Sequence, residues 1–255
     1  MIPDIEQVKR LVVEAGRRAL ARCGTVTREH KADESLVTAV DRETEQFLHA
    51  ELSALAPDYA FLGEEYGFQG PADAPFWACD PIDGTTNYVF GIPFWCVSVG
   101  LLADGVPEMG AIYLPRLDEL FWAVRGRGAY CGGVRLQRRD QDSLHVEDTV
   151  CMTSNAAKSL GIEALPSRIR AFGSIAAELA YTARGNLCAT IGLREGIVDI
   201  AAALCICTEA GCVFRCLSGG TVDIPALIQA RHTRSHFVYA PPALASHLQS
   251  VLLPR

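Results

Sequence analysis

Residues 76–87 read Phe-Trp-Ala-Cys-Asp-Pro-Ile-Asp-Gly-Thr-Thr-Asn. Four apolar residues in succession predict a short buried strand, which must end where two acids flank a proline. Asp80 and Asp83 stand three residues apart across the rigid Pro81 step, so both carboxylates can converge at the strand end. Gly84 permits a tight turn, and Thr85-Thr86-Asn87 can open a helix whose first N–H groups have no partner. Carboxylate and carbonyl oxygens suit hard cations such as magnesium, and free N–H groups at a helix start suit a phosphate. The competing reading is an Asx-turn and helix cap in which the aspartates satisfy only backbone donors. Eight specified residues behind an apolar strand, with further acids nearby, favour the chemical reading.

The rest of the chain alternates structure signals. Ile5 to Cys23 has apolar residues at helical spacing and Gly24 placed to end the helix. A second helix is predicted from Asp41 to Leu55, with Asp41 as its N-cap, and Thr27 to Val40 before it reads as a mobile loop leading into a strand or helix start. Tyr59–Leu62, Phe94–Leu102, Met109–Leu114 and Leu120–Val124 read as strands, the last three forming an antiparallel meander with short turns. Arg125-Gly-Arg-Gly128 reads as a hairpin turn. Gln137 to Asp148 is a polar break, dividing an α+β domain, 1–142, from an α/β domain, 143–255. Strands are expected at 149–153, 170–173, 189–193 and 237–240, and helices around 156 and over 174–183, 200–210 and 242–252.

The formal net charge of −7 and the scattered short arginine clusters exclude a basic nucleic-acid face. An acidic protein that handles an anion needs a positive group, and a bound cation supplies one. No apolar run approaches the roughly 20 residues of a membrane span. The opening lacks a signal-peptide pattern, so the ten cysteines are expected as reduced thiols in the cytoplasm. Cys205, Cys207, Cys212 and Cys216 lack zinc-site spacing and are expected to be buried apolar residues. No G-x-S-x-G elbow or G-x-x-x-x-G-K loop occurs.

Three further acids are candidates. Glu64 and Glu65 follow Gly63 at a strand end and matter chemically only if that strand lies beside the one ending at Asp80. Asp41 can be both a helix cap and a catalytic acid, and Asp199 heads the apolar run Ile200–Leu204, where a plain cap is the alternative.

Gly63-Glu64-Glu65, Asp80 to Asn87 and Asp199-Ile200-Ala201-Ala202, with the order of everything between, resemble the inositol monophosphatase family. Lys31, the Leu36–Asp41 stretch, Gly128–Gly133 and Glu209-Ala210-Gly211 are similar to other parts of that family over nearly the whole chain. The resemblance implies a layered α/β/α/β/α sandwich of the inositol monophosphatase/fructose-1,6-bisphosphatase type, with an antiparallel sheet in the first half and a mixed sheet in the second. It implies a magnesium-dependent, lithium-sensitive phosphatase that hydrolyses a small phosphate monoester with metal-activated water. Two or three Mg2+ ions would be held by Glu64, Asp80, the carbonyl of Ile82, Asp83 and Asp199. Glu64, Thr85 and Asp41 would be catalytic, the last two drawing off the proton, and Lys31 would lie on a mobile loop. Asp83, Gly84, Thr85, Gly173, Ser174, Ile175, Gly192 and Arg194 would face the substrate. A homodimer is also implied.

The chain departs from the family pattern at three points. Val198 replaces a tryptophan, and Ala203 replaces a glycine. Gly192 stands, without a gap back from Asp199, where the family's inositol-gripping acid is expected, which argues against inositol specificity. Arg194 is open to two readings, a contact for a second anion or a solvated side chain. Thr86-Asn87 leans toward a sugar or polyol phosphate. Histidinol phosphate or 3′-phosphoadenosine 5′-phosphate is the enzymatic alternative, and a regulatory partner-binding role on the same scaffold is the non-enzymatic one.

Overall fold

The computed structural model describes residues 2–24, 28–30, 36–71, 73–220, 222–230 and 232–252. Helix α1 (Ile5–Arg22) is capped by Asp4 and followed by the short pair β1 (Arg28–His30) and β2 (Leu36–Thr38). Helix α2 (Ala39–Leu55) starts two residues earlier than expected. Thr38 is its N-cap, and Asp41 sits at the third helical position of a capping box.

A first sheet follows: β3 (Ala60–Gly63), β4 (Gly67–Gln69), β5 (Phe76–Asp83), then helix α3 (Thr85–Phe90), β6 (Cys96–Ala103), β7 (Val106–Leu114), β8 (Glu119–Val124), β9 (Gly128–Cys131) and β10 (Val134–Leu136). Its order is β10-β9-β8-β7-β6-β5-β3-β4. The expected meander is present, but β3 and β5 are parallel, so this sheet is not purely antiparallel.

Residues 137–148 cross to β11 (Thr149–Met152), α4 (Ser154–Ser159), β12 (Arg168–Arg170), α5 (Ile175–Arg184) and β13 (Ala189–Gly192). Then come α6 (Ile197–Glu209), β14 (Val213–Cys216), α7 (Ile224–Ala230), β15 (Phe237–Ala240) and α8 (Pro242–Val251). The second sheet, β12-β11-β13-β15-β14, mixes parallel and antiparallel pairs. The strand expected over 170–173 ends at Arg170, because Gly173 turns with φ 81° to launch α5. Strand β4, strand β14 and helix α7 were not expected.

The layers follow from strand alternation. Val97, Val99 and Leu101 of β6 face α1 and α2 through Val12, Leu48 and Leu52. Cys96 and Leu102 face the other way, onto α5 and α6, which also meet Phe237 and Tyr239 of the second sheet. The outer face of that sheet packs on α4 and α8. The result is the five-layer α/β/α/β/α sandwich. Gly100 and Gly110 are cross-strand partners, and α6 lies directly on them. A Cβ at Gly110 would fall 2.2 Å from the Ala202 carbonyl oxygen, and one at Gly100 2.6 Å from Ala201 Cβ. This close approach sets the height of α6, and therefore of Asp199, above the sheet. Cys205, Cys207 and Cys212 are buried in the shared core, and all ten cysteines are free thiols. No helix among the described residues is long and apolar enough to cross a membrane.

Candidate active site

Strands β3 and β5 run parallel with Gly63 opposite Cys79, so Glu64, just past the end of β3, comes beside Asp80, which is still within β5. Asp80 and Asp83 would point to opposite faces of a regular strand. Between them the register slips: Asp80 pairs with Ser98 but Asp83 with Cys96, three residues against two. This extra residue, at the proline that has no N–H to give, restores the phase and brings both carboxylates to one side. Asp80 also forms the Asx contact, accepting Ile82 N–H on Oδ1 at 2.9 Å. The turn reading and the chemical reading of this segment thus hold together.

Asp83 is tied to the far half of the chain. Its Oδ2 accepts Ser174 Oγ–H at 2.7 Å and Ala176 N–H at 2.6 Å. The loop before α5 is itself fixed by Glu178, whose Oε1 accepts the N–H groups of Phe172 (2.7 Å) and Gly173 (2.9 Å). Asn87 Nδ2 donates to Phe94 O and Phe172 O, each at 2.6 Å, joining α3 to the same loop. Gly84 turns into α3 with φ 93°, a conformation costly for any residue with a Cβ. A Cβ there would also meet Gly173 O at 3.1 Å and Ser174 Cβ at 3.2 Å. Gly84 therefore packs directly on Gly173 and Ser174.

Asp41 is fully buried, with Oδ2 accepting the Thr38 N–H (2.8 Å) and hydroxyl (2.6 Å). Its Oδ1 accepts the Thr85 hydroxyl at 3.1 Å, and Ile82 O competes for the same proton at 3.1 Å. Cap and link to Thr85 are one side chain, as the sequence suggested, although the helix N-cap is Thr38. Asp199 likewise sits three residues inside a helix that starts at Ile197, and its Oδ2 accepts Gly196 N–H at 2.6 Å.

Burial and mutual charge dominate the electrostatics. Burial, then the charges of Glu64 and Asp83, push Asp80 well above the usual carboxylate range. Burial raises Asp83 to about 6 against the pull of Ser174 and Ala176. Asp199 is pushed well up by burial and by Glu64 and Asp83, and Asp41 is raised by burial despite its hydrogen bonds. Among the described residues no trio of these acids is already closed into a metal cage. The hydrogen bonds on Asp80, Asp83 and Asp199 nevertheless gather on one oxygen of each. An all-oxygen donor set burdened by its own negative charge fits a hard divalent cation.

Two cavities flank these acids. A cleft of about 920 Å³ is lined by Gly63, Glu64, Phe68, Arg194, Val198, Asp199 and His232. A smaller cavity of about 170 Å³ is lined by Asp83, Thr153, Ser154, Gly173, Ser174, Ile175, Glu178 and Glu195. Arg194 has φ 69° and is held on its ledge by Thr233, whose Oγ1 accepts the N–H groups of Arg194 (2.8 Å) and Glu195 (3.2 Å). Gly192 lies in β13 against Phe237, where a Cβ would come within 2.3 Å of the ring, and lines neither cavity. The ungapped count back from Asp199 missed the ledge, which puts Glu195 rather than Gly192 in the cavity wall. Sequence reading missed Glu45 and Glu195, both raised by burial, Glu195 to about 7; the stretch Gly173 to Glu178 was expected along the pocket, and burial raises Glu178 to about 7 as well. The sequence signal for Glu45 was an acid one turn after Asp41, on the helix face that goes on to Leu48 and Leu52. Lys31 lies outside the described residues.

The model of the inositol monophosphatase family matches residues 4–248. A fructose-1,6-bisphosphatase/inositol-1-monophosphatase of Aquifex aeolicus is 33% identical over 215 residues, covering 80% of this chain and 81% of that protein. An inositol monophosphatase of Mesembryanthemum crystallinum is 36% identical over 214 residues, 77% of this chain and 78% of that one. Among solved structures, a Thermotoga maritima IMPase superposes with TM-score 0.86 at 27% identity, over 97% of this chain and 95% of that one. The chain belongs to the inositol monophosphatase family. Its activity is that of a phosphatase, the hydrolysis of a phosphate monoester.

Proposed function

We propose that the chain is a magnesium-dependent, lithium-sensitive phosphatase of small sugar or polyol phosphates, acting in the cytoplasm as a homodimer. The observation that carries the chemistry is the parallel register placing Glu64 beside Asp80, with Asp83 brought to the same side by the bulge. Glu64, Asp80, Asp83, Asp199 and the Ile82 carbonyl would hold two or three Mg2+ ions. When bound, these ions supply countercharge to the phosphoryl oxygens and lower the pKa of water.

The protein's own residues do the rest. Gly84 and Thr85 offer main-chain N–H groups to the phosphate at the start of α3. The Thr85 hydroxyl, donating to Asp41, keeps its lone pairs for a proton from the attacking water. Asp41, raised by burial, is a competent acceptor at the end of that relay. Ser174 and Ala176 fix the Asp83 carboxylate so that it need not reorganise during the reaction. The cavity beside Asp83 is walled by hydroxyls and by Glu178 and Glu195, acceptors suited to a polyhydroxyl alcohol. Arg194, in the larger cleft, would meet a second anionic group.

The test is phosphate release with magnesium and with EDTA from inositol 1-phosphate, fructose 1,6-bisphosphate, histidinol phosphate, 3′-phosphoadenosine 5′-phosphate and glycerol phosphate. Magnesium-dependent release that favours the polyol and sugar esters is the expected result. Preference for histidinol phosphate or the nucleotide would overturn the substrate class. Sedimentation velocity checks the dimer.

A further inference from the structure

Glu45 is an acid with no exposed surface, placed on α2 one turn after Asp41 and on the same helix face. Burying a carboxylate is costly unless its oxygens are satisfied. Here both are taken by one exposed turn, Glu64–Tyr66, between β3 and β4. Oε2 accepts Glu65 N–H at 2.8 Å, and Oε1 accepts Tyr66 N–H at 2.9 Å. Gln46 adds a tie from Nε2 to the Tyr66 hydroxyl at 2.7 Å. Gly63 makes the approach possible, since a Cβ there would lie 1.9 Å from Glu45 Oε1. The turn so gripped carries Glu64 to its place beside Asp80.

We propose that Glu45 is a positioning residue. Its carboxylate clamps the β3–β4 turn from behind and thereby sets how tightly the site holds a divalent cation through Glu64. This rests on Glu64 being a metal ligand, as proposed above. One face of α2 then serves both ends of the chemistry, with Asp41 directed at Thr85 and Glu45 at the Glu64 turn.

Glu45→Gln keeps the shape but presents an amide NH2 to one of the two N–H groups. Expected is a roughly tenfold rise in the Mg2+ concentration for half-maximal activity, with kcat at saturating Mg2+ changed less than about threefold. Calorimetric titration of the substrate-free protein with MgCl2 should show the same tenfold weakening, a reading that survives even if no substrate is turned over. Gly63→Ala, which forces the carboxylate off the turn, should match it, and the double variant should be no worse than either. A lowered Tm with unchanged Mg2+ affinity in both variants would leave Glu45 a structural residue only and overturn the proposal. Should neither variant fold, amide exchange on the wild type decides: protection at Glu65 and Tyr66 that increases with MgCl2 supports the clamp. Free exchange with and without the metal overturns it.

Discussion

Asp83 joins three parts of the site in one carboxylate, bonded to Ser174 and Ala176 from the far half while projecting from β5. Asp83→Asn must turn an NH2 or a neutral oxygen toward donors built for a charge. Loss of activity by about 10³-fold or more is expected with the fold retained, measured as magnesium-dependent phosphate release beside circular dichroism. The buried acids also predict a pH slope. Glu178 and Glu195 move from an ordinary 4.5 to about 7, and Asp83 from 3.8 to about 6. Between about pH 4 and 7 the folded chain therefore binds more protons than the unfolded one, and stability falls as pH rises. Glu178 alone corresponds to on the order of 3 kcal/mol. In EDTA the urea midpoint should be higher at pH 5 than at pH 7.5, and MgCl2 should shrink the difference; a midpoint that rises with pH would contradict the burial argument. Asp80, Asp83 and Glu64 were legible because local chemistry marks a strand end. Glu45 and Glu195 were not, because what they meet comes from elsewhere in the chain: Glu45 the N–H groups of Glu65 and Tyr66, and Glu195 the cavity beside Asp83.

At the scale of elements, the meander and most helices were readable from period alone, whereas the starts of α2 and α6 were displaced by two and three residues. Asp41 and Asp199 satisfy the strongest local rule for an N-cap, yet each serves from the third helical position, one behind Thr38 and one behind Gly196. The Thr38-x-x-Asp41 spacing carried that information. Strands β4 and β14 were missed because each is short and owes its existence to a neighbour, and α7 because its apolar spacing, Ile224, Leu227 and Ile228, lasts little more than one turn. The seating of α6 on Gly100 and Gly110 could not be seen without the sheet register. Gly110→Ala should lift α6 against the Ala202 carbonyl, costing about 1–3 kcal/mol and displacing Asp199. Thermal unfolding and a Mg2+ titration together check this, and a stability loss with metal affinity untouched would show that the lift does not reach Asp199.

At the scale of the whole molecule, α5 and α6 come from the second half but complete the core of the first sheet as well as the second. We propose the division 1–142 and 143–255 as a description of sequence pattern only. A fragment ending at 142 lacks α5 and α6, bares Ala78, Ile112 and Phe121, and should show no cooperative unfolding transition. The intact chain should gain stability from the metal by mass action. MgCl2 at about 100 times its dissociation constant adds roughly 2.7 kcal/mol, or about 5–10 °C in Tm, and EDTA removes it. The layered architecture was implied by resemblance rather than by periodicity, since a helix buried between two sheets reads simply as apolar throughout, as α6 does.

The seating of α6 has a consequence for synthesis. Asp199 lies near its first turn, and the helix finds its height only on the glycine pair of an already formed sheet. A chain still emerging from the ribosome can carry Glu64, Asp80 and Asp83 and still lack both the helices that cover the first sheet and the last acid of the set. If Asp199 completes the set as proposed, hydrolysis of phosphate esters starts only once the chain is made beyond it.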